Sequence, residues 1–422
     1  MKISIVGSGY VGSVTGICLA ELGHEITLVD VDREKIESIR RGISPVFEPD
    51  LDAFLEKNRS RITPTTDLSV AVLATDVTFI AVGTPSRENG SIDLSYVEAT
   101  SREIGQALKG KQGFHLVIVK STVLPGTAEH VVAPLIEKES DKKPGKDFSV
   151  ASNPEFLREG IAVRDFFHPD RIVIGVNESR SQKILEEIYS GISSPYYVTT
   201  IKTAEMIKYV SNAFLATKIS FANEIGKICK AIDIDAYNVF DGVGMDARIG
   251  SQFFRAGIGF GGSCFPKDVR ALVAFAKESG IHPNILEATM AVNESQPLSM
   301  IRLLKRHIPD LRGKRIGILG LAFKPDTDDI RESRALPIIT DLVTGGADVI
   351  AYDPKAADNF RKVCSAITFA NRAEEVLLAD AVLIVTEWPE FERLDYRGKI
   401  VIDGRRVGQA KKTAGVYEGV CW

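Results

Sequence analysis

At 422 residues the chain is long for one hydrophobic core and predicts two or three domains. With 44% hydrophobic and 26% charged residues and a net charge of −4, it is neither a disordered polyelectrolyte nor a protein with a basic face for nucleic acid or an anionic membrane. No apolar run is long enough to span a bilayer, and five cysteines without paired spacing (Cys18, Cys229, Cys264, Cys364 and Cys421) point to a reducing compartment, the cytoplasm.

Residues 3–6 read as a strand that leads into Gly7-Ser8-Gly9-Tyr10-Val11-Gly12, then an apolar helix to Leu22, then a strand over 25–30. Asp30 closes that strand about 20 residues after the loop, the spacing of a dinucleotide-binding βαβ unit. The first glycine permits the turn, the second admits a pyrophosphate to the backbone, and the third lets helix and strand pack closely. Asp30 would accept hydrogen bonds from a ribose diol and repel a 2′-phosphate, which favours NAD over NADP; Arg33 and Lys35 act against that preference, and a plain turn residue is the other reading.

Strand-like runs at 77–82, 116–119 and 172–176, separated by helical segments such as 96–108, predict a parallel doubly wound sheet. Over 203–231 the apolar spacing changes to that of one long helix, and helical pattern continues to about Arg306, broken by the glycine-rich stretch at 257–262. At Lys314 a second series begins: strand 315–319, Gly320, helix 335–343, strand 348–353, then strands at 382–385 and 399–402. The expected fold class is α/β, with two Rossmann-like doubly wound domains joined by a long central helix and a small helical middle domain. The expected boundaries are 1–202, 203–306 and 307–422.

Candidate chemistry lies in four further segments: Val82-Gly83-Thr84-Pro85; Lys120-Ser121-Thr122-Val123-Leu124-Pro125-Gly126-Thr127; Asn153-Pro154-Glu155-Phe156-Leu157-Arg158-Glu159-Gly160; and Gly259-Phe260-Gly261-Gly262-Ser263-Cys264-Phe265-Pro266-Lys267-Asp268. Cys264 sits among glycines with Lys267 nearby, a setting that favours a thiolate, whereas Cys18, Cys229 and Cys364 lie on apolar segments as ordinary small hydrophobes. Lys208 and Asn212 are four apart on the long helix and share a face, able to hold one oxygen together or to form a solvated surface pair. Glu155 and Glu159 are likewise four apart, fit either for divided acid and base work or for an exposed first helical turn. The six histidines have no ligand-like spacing, so no metal site is expected.

Together with Phe323-Lys324-Pro325-Asp326-Thr327-Asp328-Asp329-Ile330-Arg331-Glu332-Ser333 and Asp403-Gly404-Arg405-Arg406, these segments resemble the UDP-glucose and GDP-mannose 6-dehydrogenase family in order and spacing over nearly the whole chain. The resemblance implies a four-electron oxidation of a nucleotide sugar at C6 with two NAD in succession, through a thiohemiacetal and a thioester on Cys264. It assigns Lys208 and Asn212 to the developing oxyanion, Glu155 to sugar binding and thioester hydrolysis, Asp268 to proton transfer and Thr122 to a catalytic water. It places Gly7, Gly9, Tyr10, Val11, Gly12, Asp30, Lys35, Thr84, Thr122, Glu159 and Arg331 at the cofactor. Phe156, Leu157, Phe253, Gly261, Phe323, Lys324 and Arg405 join Glu155, Lys208 and Asn212 at the substrate. Arg248 matches an arginine supplied by a neighbouring subunit, which implies a homodimer.

Within the family, the Asp403-Gly404-Arg405 tract and the pair Phe253 and Phe260 resemble the UDP-glucose branch, so UDP-glucose is the favoured substrate. The tail from Glu418 to Trp422 is similar to some GDP-mannose enzymes, and UDP-N-acetylhexosamine dehydrogenases share much of the pattern. A two-electron hydroxy-acid dehydrogenase would not need Cys264. A non-catalytic nucleotide sensor would have no use for Lys208, Asn212, Cys264 and Asp268 together.

Overall fold

The computed structural model describes residues 1–422, which divide into two compact units, Met1–Ser211 and Asn212–Trp422. In the first, eight strands form one sheet: β1 (Lys2–Val6), β2 (Glu25–Val29), β3 (Ile62–Thr65), β4 (Val77–Ile80), β5 (His115–Val119), β6 (Phe148–Ser152), β7 (Ile172–Gly175) and β8 (Tyr196–Thr199). Their spatial order is β3-β2-β1-β4-β5-β6-β7-β8. The central strands β4 and β5 are buried at every position, as strands covered on both faces must be, and each fully buried Ile or Leu is worth about 1.5–3 kcal/mol.

The order reverses between β1 and β4, and the glycine loop leaves β1 at that switch point, on the carboxyl edge where such sheets bind ligands. One expectation is corrected. The sheet is not parallel throughout, because β6 meets β7 antiparallel through Ser152 and Gly175. The residues between these strands form only the six-residue helix Ala162–Phe167. The edge strands β3 and β8 carry little sequence signal: β3 contains Pro64, and β8 exposes Tyr197 and Val198.

The helix Ile201–Ala231 runs through the division of the chain. Its buried residues are mostly small or polar, Ala204, Glu205, Lys208, Asn212, Ala216, Ser220 and Asn223 among them, together with the larger Ile201, Tyr209 and Ile219. Other large apolar residues, Met206, Val210, Phe214, Phe221 and Ile228, are exposed in a stripe. Part of the apolar spacing that predicts this helix therefore belongs to an outward face. No helix is long and apolar enough to cross a membrane.

In the second unit the helices Ala236–Gly244, Phe265–Glu278, Asn284–Ser295 and Leu298–His307 precede a six-stranded sheet. Its strands are β9 (Arg315–Leu319), β10 (Asp348–Tyr352), β11 (Thr368–Phe369), β12 (Ala381–Ile384), β13 (Ile400–Asp403) and β14 (Val416–Gly419), in the order β11-β10-β9-β12-β13-β14, with every pair parallel. Ala222, Phe240, Met300 and Leu304 of the helices and Ile258 of the glycine-rich loop share one hydrophobic core with Ile316, Ile318 and Leu383 of the sheet. The fold is thus mixed α/β, with two Rossmann-like sheets and a central helical region.

Candidate active site

The three glycines of the first loop face three different surroundings. Gly7 has φ +100°, and a Cβ there would lie 2.7 Å from the Ala81 carbonyl oxygen. At Gly12 a Cβ would lie 1.7 Å from the Gly7 carbonyl oxygen, so only glycine lets the helix Tyr10–Glu21 start against the loop. Nothing lies within 4 Å of a Cβ at Gly9, the side left open for a pyrophosphate. Asp30 braces the loop: its Oδ2 accepts from Ser8 N at 2.7 Å and Ser8 Oγ at 2.8 Å, and Lys35 Nζ stands 3.8 Å away. The Asp32 backbone N–H, 3.0 Å from Oδ1, together with the Ser8 bonds and Lys35, holds its carboxyl below the usual carboxylate range despite burial, so it stays an acceptor. Val31, directly after it, is 90% exposed, an apolar side chain that the sequence reading did not single out. Open backbone at Gly9, the helix N-terminus and the ionised Asp30 fit NAD.

Next along the carboxyl edge, Thr84 Oγ1 donates to the Thr122 carbonyl at 2.9 Å, joining the segments that follow β4 and β5. Glu205 holds the far end of the second segment, accepting from Gly126 N at 2.5 Å and Ala128 N at 2.9 Å. Burial pushes the Glu205 carboxyl up to about 7. Three residues further along the same helix, Lys208 Nζ donates to Glu155 Oε1 at 2.9 Å, while Leu157 N donates to Glu155 Oε2 at 2.6 Å. Phe156 carries a cation on its ring, with the Arg171 guanidinium 4.3 Å and the Lys208 ammonium 5.4 Å from its centroid. Leu157 and Glu159 are half-buried in the same segment.

Lys120, quoted in a motif but given no role by the sequence, is buried with its Nζ 2.8 Å from Asn153 Oδ1 and 3.3 Å from Tyr189 Oη. Burial pulls its ammonium down to about 8, opposed by Glu155 and reinforced by Lys208. Two lysines thus face one buried carboxylate, and the first unit gathers Thr84, Thr122, Glu155 and Lys208 on the side of the sheet where the glycine loop lies. The buried acids Glu48 and Glu205 also escaped the sequence reading; for Glu205 a signal existed, since it shares the Lys208 helix face one turn earlier.

In the second unit Asn212 Nδ2 donates to Asp268 Oδ2 at 2.6 Å, and Lys267 Nζ donates to Asp268 Oδ1 at 2.6 Å. Asp268 is buried in the first turn of the helix Phe265–Glu278, and Cys264 caps that helix. The Cys264 thiol is exposed, 3.5 Å from Ser263 Oγ, and the helix N-terminus offers partial positive charge to a thiolate. Of the remaining cysteines, Cys18, Cys229 and Cys421 are buried and Cys364 is partly so. Close backbone approach explains the glycines before Cys264. A Cβ on Gly261 would lie 2.3 Å from the Glu332 carbonyl oxygen, and one on Gly262, at φ +81°, would lie 2.8 Å from the Phe323 ring. Phe260 meets Phe265 edge to face at 5.9 Å, and Phe253, at φ +67°, lies 6.3 Å from the same ring.

The second sheet repeats the first loop. Gly320 after β9 has φ +96°, and Asp353 at the end of β10 accepts from Leu321 N at 2.7 Å and Ala322 N at 3.0 Å, as Asp30 does from Ser8. The Lys324 ammonium sits 5.6 Å from the Phe323 centroid. Arg405 Nε donates to the Val385 carbonyl at 2.7 Å, beside Asp403, whose burial pushes its carboxyl up to about 6 while three backbone N–H groups and Tyr417 hold it. Arg331 forks onto Asp329 and Arg248 onto Asp246, both at the surface.

Residues 1–193, 202–295 and 317–410 match, in turn, the NAD binding domain, the central domain and the UDP binding domain of the UDP-glucose/GDP-mannose dehydrogenase family. The chain belongs to that family and is an NAD-dependent oxidoreductase. It is similar to the UDP-glucose 6-dehydrogenase of Haloferax volcanii, 46% identical over 419 residues, with 96% of this chain and 97% of that protein covered. The GDP-mannose 6-dehydrogenase of Pseudomonas aeruginosa is 45% identical over 357 residues, covering 84% and 81%. Among solved structures, a UDP-glucose dehydrogenase from Pyrobaculum islandicum superimposes with a TM-score of 0.96 at 46% identity, covering 100% of this chain and 97% of that one.

Proposed function

We propose that the chain oxidises the C6 alcohol of UDP-glucose to the carboxylate of UDP-glucuronate through covalent intermediates on Cys264. The observation that carries this reading is the exposed thiol at the start of the helix Phe265–Glu278, one turn before the buried Asp268 that Asn212 and Lys267 hold. When bound, NAD accepts hydride from C6, once from the alcohol and once from the thiohemiacetal.

The alcohol loses its proton and becomes an aldehyde, and the Cys264 thiolate adds to the carbonyl carbon. Lys208 and Asn212 donate to the resulting oxyanion, leaving Glu155 and Asp268, their partners in the ligand-free protein, to take up protons. The thioester formed by the second oxidation is then hydrolysed: water oriented by Thr122 and Glu155 attacks the acyl carbon, and the carbon–sulfur bond breaks to return the thiol. Glu159, Tyr10, Asp30, Lys35, Thr84 and Arg331 serve the cofactor. Phe156, Leu157, Phe253, Gly261, Phe323, Lys324 and Arg405 serve the sugar nucleotide.

The exposed stripe Met206, Val210, Phe214, Phe221 and Ile228 supports a homodimer built on the long helix, with exposed Arg248 available to a neighbouring copy. The Asp403-Gly404-Arg405 tract and the Haloferax and Pyrobaculum relatives support UDP-glucose. The Pseudomonas relative keeps GDP-mannose as the second reading.

The test is turnover of UDP- and GDP-sugars with NAD, recording NADH yield and product mass. Two NADH per UDP-glucose and a sugar acid are expected, and Cys264→Ser stops the second oxidation with NAD binding retained. One NADH per sugar, or full acid production by Cys264→Ser, overturns the mechanism.

A further inference from the structure

Glu48 lies in the loop between the helices Arg33–Arg40 and Leu51–Lys57, where nothing in the reaction just described uses it. Its side chain is buried, and its carboxylate accepts three hydrogen bonds from two distant parts of the chain. Tyr10 Oη and Gly160 N, the latter at 2.7 Å, donate to Oε2, and Ala162 N donates to Oε1 at 2.6 Å. Tyr10 is the first residue of the helix that follows the glycine loop, and Gly160, at φ +85°, ends the segment that carries Glu155 and Glu159. The groups that face this carboxylate are Tyr10, Cys18 and, through the Tyr10 phenol, Glu159. Burial and these acids push the phenol well above its ordinary value, so it remains a donor at working pH.

We infer that Glu48 is a positioning residue that couples the cofactor loop to the segment of Glu155 and Glu159, so that occupancy at the glycine loop orders the segment proposed to contact the sugar. One carboxylate group ties Tyr10 to Gly160 and Ala162. A shift of the loop is therefore transmitted through three hydrogen bonds to one buried carboxylate. No neutral side chain of this size reproduces the junction, because both oxygens accept backbone N–H groups and an amide would turn its NH2 toward one of them. The inference rests on the proposed role of Glu155 and Glu159 for its catalytic consequence, but not for the coupling itself.

The coupling is tested without turnover by amide hydrogen exchange of peptides covering residues 156–163, with and without NAD. At NAD concentrations shown by calorimetry to saturate each protein, NAD slows exchange at Gly160 and Ala162 in the parent; in Tyr10→Phe, which keeps the ring but removes the phenol donor, that added protection is lost. Equal NAD-induced protection in both proteins overturns the coupling.

The catalytic consequence is tested by kcat and KM of Glu48→Gln, Tyr10→Phe and the double variant, normalised to folded protein. A misplacement of under 1 Å predicts a kcat loss on the order of tenfold to a hundredfold in Glu48→Gln, with the double variant no worse. Additive losses, or a Glu48→Gln effect confined to melting temperature, overturn it. Loss of coupling in Tyr10→Phe without UDP-glucose turnover by the parent protein would sink the substrate reading and leave the Glu48 junction standing.

Discussion

The Lys208 ammonium lies 2.9 Å from Glu155 Oε1 with both side chains almost fully buried. Such a pair is expensive to break, since removing the cation strands a buried carboxylate at a cost of about 3–5 kcal/mol. Lys120 also faces this carboxylate, which places Lys208→Met toward the lower end. Lys208→Met is expected to melt earlier and lose turnover by about 10²-fold or more, as loss of an oxyanion donor does. Adding Glu155→Gln should recover most of the stability and none of the turnover; recovery of both would make the pair structural only. Chemical denaturation and NADH release read the two effects separately.

Gly9 and Gly12 separate binding from folding. Gly12→Ala places a methyl 1.7 Å from the Gly7 carbonyl oxygen and should lower the melting temperature markedly. Gly9→Ala meets no atom within 4 Å and should melt like the parent, yet its NAD dissociation constant should rise about tenfold or more because the methyl enters the pyrophosphate approach. Calorimetric NAD titration and thermal melting check both; unchanged NAD affinity in Gly9→Ala would move the cofactor off this loop.

Glu205 predicts a pH dependence. Its folded carboxyl is raised to about 7, above the unfolded value, so the folded state binds the proton more tightly. Its contribution to stability is full below the unfolded value and falls as pH rises through about 7, by an amount on the order of a few kcal/mol. Melting curves of the parent and Glu205→Gln from pH 5 to pH 8 should show the difference between them shifting against the parent as pH rises. A constant difference would mean that the carboxyl is already ionised throughout.

The exposed Phe214 sits in the middle of the apolar stripe on the long helix. Phe214→Asp should yield monomers by sedimentation velocity while the far-ultraviolet spectrum is kept, because a charge in an apolar interface costs far more than one facing water. A parent protein that already sediments as a monomer would remove the stripe as an interface.

What the residues alone determined was the pattern of elements and the family. Glycines with special backbone demands and alternating strand and helix periods are local signals, so both Rossmann-like sheets, the long helix and the Cys264 loop were legible. Edge strands were not. Residues 62–65 and 196–199 bury too little to carry a period, and the antiparallel pairing of β6 with β7 depends on a connection whose length alone does not reveal its direction. Only the tertiary structure decided which polar groups meet. Lys208 and Asn212, adjacent on one helix face, take different carboxylates, Glu155 and Asp268, because their partners arrive from segments 53 and 56 residues away. Glu48 binds partners up to 114 residues distant. A buried charge is tolerable only where folding brings donors to it, and no local spacing encodes that meeting.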